Sequence, residues 1–128
     1  MRVTSWLRGT LLALALAAAM PAAAAEEDPA AAAMAVLDRF MEAFNARDLE
    51  AWEATYHFPH FRMASGELSV LPKPGTRPAD FFERFVETTG WDHSAWLERE
   101  LVQVGPRKVH IAVKFARYRA DGSVLATY

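Results

Sequence analysis

Cysteine is absent from this 128-residue chain. That absence excludes disulfides, thiolate metal centres and a lipid-modified N-terminal cysteine. An excess of basic charge is missing too. Fourteen Lys and Arg stand against 16 Asp and Glu, for a formal net charge of −2. No cluster of Lys and Arg is available to neutralise phosphates, which argues against nucleic acid and against an anionic membrane surface as partners. There is also no apolar run of the length that spans a bilayer. The longest Leu-rich stretch, LLALALAAAM from Leu11 to Met20, is about half of the 20 or so residues required.

That stretch has a different reading. Arg2 and Arg8 precede or flank it, Pro21 breaks it, and Ala22, Ala23, Ala24 and Ala25 offer small-residue cleavage sites before Glu26. The pattern predicts a signal peptide over residues 1–25, a mature domain over residues 26–128, and a secreted or periplasmic location with no membrane attachment after cleavage. Removing Arg2 and Arg8 leaves 12 basic against 16 acidic residues, a net charge of −4. With no covalent staple, stability must come from a packed core. Hydrophobic residues make up 52% of the chain and include eight Phe and four Trp, enough for one small domain.

Periodicity places the elements. Asp28-Pro29 is an N-cap followed by a proline in the first helical position. Val36, Leu37, Phe40, Met41 and Phe44 then form one helical stripe. After a link at Asn45-Ala46-Arg47-Asp48, a second helix carries Leu49, Trp52 and Tyr56 and ends before Pro59. Phe61–Ala64 and Leu68–Leu71 read as a hairpin about Ser65-Gly66. A Pro-rich loop leads to a third helix expected to open at Pro78, to bury Phe81, Phe82, Phe85 and Val86, and to stop at Gly90. The period then changes to two. Trp96–Val104 and Lys108–Arg119 are strand candidates, and Asp121-Gly122 is a two-residue hairpin signal before a last strand from Ser123. Helices first and a β-meander afterwards predict an α+β fold with three helices packed on an antiparallel sheet.

The first-helix stripe with its link (Val36-Leu37-Asp38-Arg39-Phe40, Asn45-Ala46-Arg47-Asp48-Leu49), Phe61-Arg62-Met63-Ala64-Ser65-Gly66-Glu67, Thr89-Gly90-Trp91 and the hairpin Phe115 to Gly122 together resemble the SnoaL-like family of the nuclear transport factor 2-like superfamily. The resemblance implies a cystatin-like cone, in which a curved sheet wraps the long helix and leaves a pocket open at one end. It also implies homodimers through the outer sheet face. Members typically carry one strand more, so it implies a chain that stops short of its last strand. Enzymes of this fold such as ketosteroid isomerase use an Asp base with a Tyr and a neutral Asp. Here Phe40 and Phe44 stand where a first-helix Tyr would be needed, and no Asp falls inside a strand.

Few residues offer chemistry. His57 and His60 flank Phe58-Pro59 and are the acid/base candidates, imidazole being the side-chain type suited to proton transfer near neutrality. They lack further ligands at metal-binding spacing, so no metal and no cofactor is expected. Asp92-His93-Ser94 holds the residue types of a hydrolytic triad, but neighbours in sequence cannot converge on one another; a turn is the simpler expectation. Trp52, Tyr56, Phe61, Trp91, His93, Trp96 and Tyr118 are the candidates to line a pocket. The functional expectation is an exported domain that binds a small apolar or mixed-polarity molecule. The alternatives are a cofactor-free isomerase, lyase or cyclase using His57 or His60, and a dimerising module with no ligand.

Overall fold

The computed structural model describes residues 28–128; the expected signal peptide lies outside them. Helix α1 spans Pro29–Asn45, with the Asp28 carboxylate accepting from the Ala30 amide at 3.0 Å. The helix closes in a tight C-terminal turn. Asp48 N–H donates to the Ala43 carbonyl and Arg47 N–H to that of Phe44, with Arg47 at a φ of +58°. This left-handed position usually favours glycine. Asp48 then caps α2, Leu49–Glu53, through the Ala51 amide. The second helix is shorter than its stripe suggests. Thr55 and Tyr56 leave it in tight turns onto the Trp52 and Glu53 carbonyls.

Strands β1, His60–Ala64, and β2, Glu67–Leu71, pair antiparallel about Ser65 and Gly66. Both turn residues have positive φ, +54° and +79°, as a two-residue hairpin of matching twist requires. Helix α3 spans Phe81–Thr89 and stops at Gly90, whose φ is +72°. It does not open at Pro78. Pro78 accepts from the Phe81 amide in a preceding turn, and the helix runs on from Asp80.

Strands β3, His93–Val104, β4, Val109–Tyr118, and β5, Val124–Thr127, form an antiparallel sheet in the order β3-β4-β5. This sheet and the β1-β2 hairpin are separate in their hydrogen bonding, where one sheet was expected. β3 begins three residues before the expected Trp96. Asp92 N–H donates to the Tyr118 carbonyl, and His93 and Ser94 pair with Tyr118 and Arg117. A strand partner thus overrides the turn preference of Asp92-His93-Ser94. The last hairpin also differs. Arg119 pairs with Ser123, Gly122 N–H donates to the Arg119 carbonyl, and Gly122 has a φ of +82°. This is a three-residue loop with glycine in the bulge position, the next commonest solution for the same Asp-Gly signal.

Curvature comes from extra residues. The β3-β4 register shifts between Trp96 and Glu98 and again between Leu101 and Gln103, leaving Leu97 and Val102 unmatched. A third shift lies between β4 and β5. Each bulge bends its strand and increases local twist. The sheet therefore wraps α1, and the architecture is an α+β cone.

The core sits at one end of that cone. Phe44 makes edge-to-face contacts with Trp52, Phe82, Phe85 and Trp91, with ring centroids 4.9 to 5.9 Å apart. Trp91 is 1% exposed, and its indole N–H donates to Ser94 Oγ at 2.9 Å. The outward face of the β1-β2 hairpin is the opposite case. Phe61 is 63% and Met63 75% exposed. Trp91→Ala should therefore cost about 3–5 kcal/mol and Phe61→Ala at most about 0.5 kcal/mol, read by urea unfolding. Equal losses would contradict this placement of the core.

Candidate functional site

A cavity of about 670 Å3 opens between α1 and the concave face of β3-β4, with the β1-β2 hairpin and α3 at its sides. Its walls are aromatic because the α1 stripe is aromatic. Phe40 and Phe44 face Trp52 and Tyr56 from α2 and its exit turn, Phe81 and Phe85 from α3, and Trp96 and Phe115 from the sheet. Alternation puts Val113, Phe115 and Arg117 of β4 on one face, so all three line the hollow. Trp96 is fixed by its indole N–H, which donates to the Leu37 carbonyl at 3.2 Å.

The polar groups on this wall are few. Tyr56, Ser69, Ser94, Arg62, Arg77 and Arg117 supply them. Arg77 is held from behind by Glu53. The two side chains are 12% and 5% exposed and meet at 2.9 Å, and the second Glu53 oxygen accepts from the Gly75 amide at 2.7 Å. The Arg77 guanidinium lies 4.4 Å from the Trp52 ring centre and 5.4 Å from that of Tyr56. This pair ties the Pro-rich loop to α2 and sets one wall of the cavity. Burial pushes the Tyr56 phenol up to about 12, with Arg77 opposing part of the rise, so Tyr56 stays a neutral donor at physiological pH.

Of the residues singled out in the sequence, Trp52, Tyr56 and Trp96 line the cavity. Trp91 is buried in the core behind it. Phe61 alternates out of the wall, because its neighbour Arg62 points in. His93 and Tyr118 are directly paired across β3-β4 and stack at 4.9 Å, on the face opposite Ser94 and Arg117. His57 is exposed in the turn before β1. His60 stacks flat on Tyr56, with ring centres 4.0 Å apart, and is not among the residues that line the cavity. Burial first, and then Arg77 and Arg62, hold the His60 pKa below its usual 6.5. The residues that the sequence reading passed over are the arginines. Arg117 falls on the inward face of β4 by the same alternation that placed Phe115, and that signal would have found it. Arg62 and Arg77 depend on tertiary placement. Glu98 pairs with Lys114 at 3.5 Å, and Arg99 pairs with Asp38 on α1.

A family model described as NTF2-like protein (DUF6841) matches residues 26–128. The chain belongs to this NTF2-like family. No curated protein and no solved structure matches it. Membership of this family suggests a ligand-binding or enzyme-like cone domain, and the described residues leave a lined hollow beside the long helix. Among the described residues, no group of three or more His, Cys, Asp or Glu is placed to hold a metal ion.

The Glu53–Arg77 pair offers a test of how the wall is held. Glu53→Ala should cost about 3–5 kcal/mol because it strands a buried guanidinium. Adding Arg77→Met should recover part of that loss. Urea unfolding of the two variants decides it. A neutral Glu53→Ala, or a double variant weaker than the single one, would show that the pair does not hold the loop.

Proposed function

We propose that this NTF2-like domain is a binding module of the SnoaL-like kind that takes a small, mainly apolar organic molecule into the cone. The observation that carries the reading is the hollow itself, about 670 Å3 of space walled by aromatic rings and tipped by a few hydroxyl and guanidinium groups. Binding sites for small molecules have this make-up and this range of volume. A module with a filled cone would not leave that space.

Acid/base catalysis is less well supported. A general base must lie within hydrogen-bond reach of the proton it takes. Among the described residues, the cavity wall carries Tyr56, two serines and three arginines as its polar side chains, with no carboxylate, imidazole or amine. Tyr56 titrates near 12, and His57 and His60 are outside the wall.

The neutral fluorophore N-phenyl-1-naphthylamine tests the reading. Saturable fluorescence enhancement at one site per chain is expected. Val113 lies on the wall at 39% exposure, so Val113→Trp fills the hollow without touching the core. It should weaken the probe about tenfold while the circular dichroism and melting temperature hold. Absence of saturable binding, or unchanged affinity in Val113→Trp, would overturn the proposal.

A further inference from the structure

The cavity wall is charged in one sense only. Among the described residues, three arginines reach it and no acidic side chain does. Arg77 is neutralised by Glu53. Among the described residues, Arg62 and Arg117 form no ion pair. Two uncompensated positive charges therefore face an apolar hollow.

Arg117 is the more constrained of the two. Its guanidinium carbon lies 4.8 Å from the ring centres of both Phe85 and Tyr128. Its Nη1 makes only a long contact, 3.4 Å, to the Tyr128 hydroxyl. Its Nε–H is buried with no hydrogen-bond partner among the described residues. Aromatic faces offset part of the cost of removing a guanidinium from water, but an unpaired buried donor and an unpaired charge remain unfavourable. Ser94 stands directly opposite Arg117 in the β3-β4 register, and both line the cavity. The Ser94 oxygen accepts from the Trp91 indole, which fixes the hydroxyl. Its own proton has no acceptor among the described residues. A hydroxyl donor and an unneutralised guanidinium thus come from directly opposed residues on one aromatic-lined wall.

From this geometry we infer that the cavity selects an organic carboxylate with an apolar body, the carboxylate seated on Arg117 and Ser94 and the body among the aromatic rings. The inference rests on the proposal that the cavity binds a small molecule, and it adds the charge and class of that molecule. A planar guanidinium matches a carboxylate with two parallel N–H donors. A low-dielectric wall makes such a pair stronger than it would be in water. Arg62, exposed on β1, adds a weaker field at the side of the hollow and draws the same sign of charge.

The test uses a matched pair of probes, 1-naphthylacetic acid and 1-naphthylacetamide, each displacing N-phenyl-1-naphthylamine at pH 7. The acid should bind at least about tenfold more tightly than the amide. Arg117→Gln should bring the two within about twofold of each other. Raising NaCl from 0.05 to 0.5 M should weaken the acid and spare the amide, a readout that needs no variant. Arg62→Gln, at an exposed position, should weaken the acid by a smaller factor. Equal affinities in the wild type, salt-insensitive preference for the acid, or a preference that survives Arg117→Gln overturns the inference. If the fluorophore binds and neither naphthyl probe displaces it, the carboxylate site is wrong and the cavity reading stands. If the fluorophore itself does not bind, both fall.

Discussion

One junction holds this fold in shape: the end of α1 against the start of β3. The Asn45 side-chain amide donates to the Ser94 carbonyl at 2.9 Å and accepts from the Ser94 amide at 2.8 Å. β3 lies at the edge of its sheet, so these backbone groups would otherwise be left without a partner. A single side chain does for that edge what a neighbouring strand would do. One residue earlier on the helix, Phe44 drops into the cluster of Trp52, Phe82, Phe85 and Trp91. Polar and aromatic contacts thus fix the same turn of helix from two sides. The remaining contacts follow from where that turn is pinned.

The hollow is a consequence of pinning at one end and bending at the other. From Ser94 onward, β3 departs from a flat path at Leu97 and at Val102, and each extra residue turns the sheet further. The bulged sheet bends away from α1, so space opens between them along Phe40, Trp96 and Val113. The Glu53–Arg77 pair keeps the Pro-rich loop against α2 on one side, and Phe81 and Phe85 of α3 close another. The wall is aromatic because the core-forming stripe of α1 continues past the core into open space. Its charge is positive because β1, β4 and the loop each turn one arginine inward.

Much of the architecture was legible in the sequence. The α1 stripe, the Asp28 and Asp48 caps, the Ser65-Gly66 turn and the alternation of β4 are local signals, each carried by a few neighbouring residues, and each found its element. Three departures have identifiable causes. Asp92-His93-Ser94 became strand because β4 offered a partner. The Asp121-Gly122 loop gained a residue because a strand pair needed a bulge. The α2 stripe ended early because Tyr56 turns to stack on His60. The first was decided by a contact distant in sequence, the other two by pairings four residues apart, Arg119 with Ser123 and Tyr56 with His60. The site was legible in part. Trp52, Tyr56 and Trp96 could be named from bulk and spacing. The inward aim of Arg62 and Arg77, and the outward aim of His93 and Tyr118, depend on register and bulges that no local pattern encodes.

The claim that everything else depends on is the pinning of the helix end to the sheet edge. Backbone hydrogen exchange at Ser94, followed in the wild type and in Asn45→Ala, measures it most directly. The account predicts a protected Ser94 amide in the wild type. In the variant its exchange should accelerate by at least about tenfold, with Ile111 in the middle of β4 little changed. A Ser94 amide that exchanges freely in the wild type, or one whose protection survives the loss of Asn45, would contradict it.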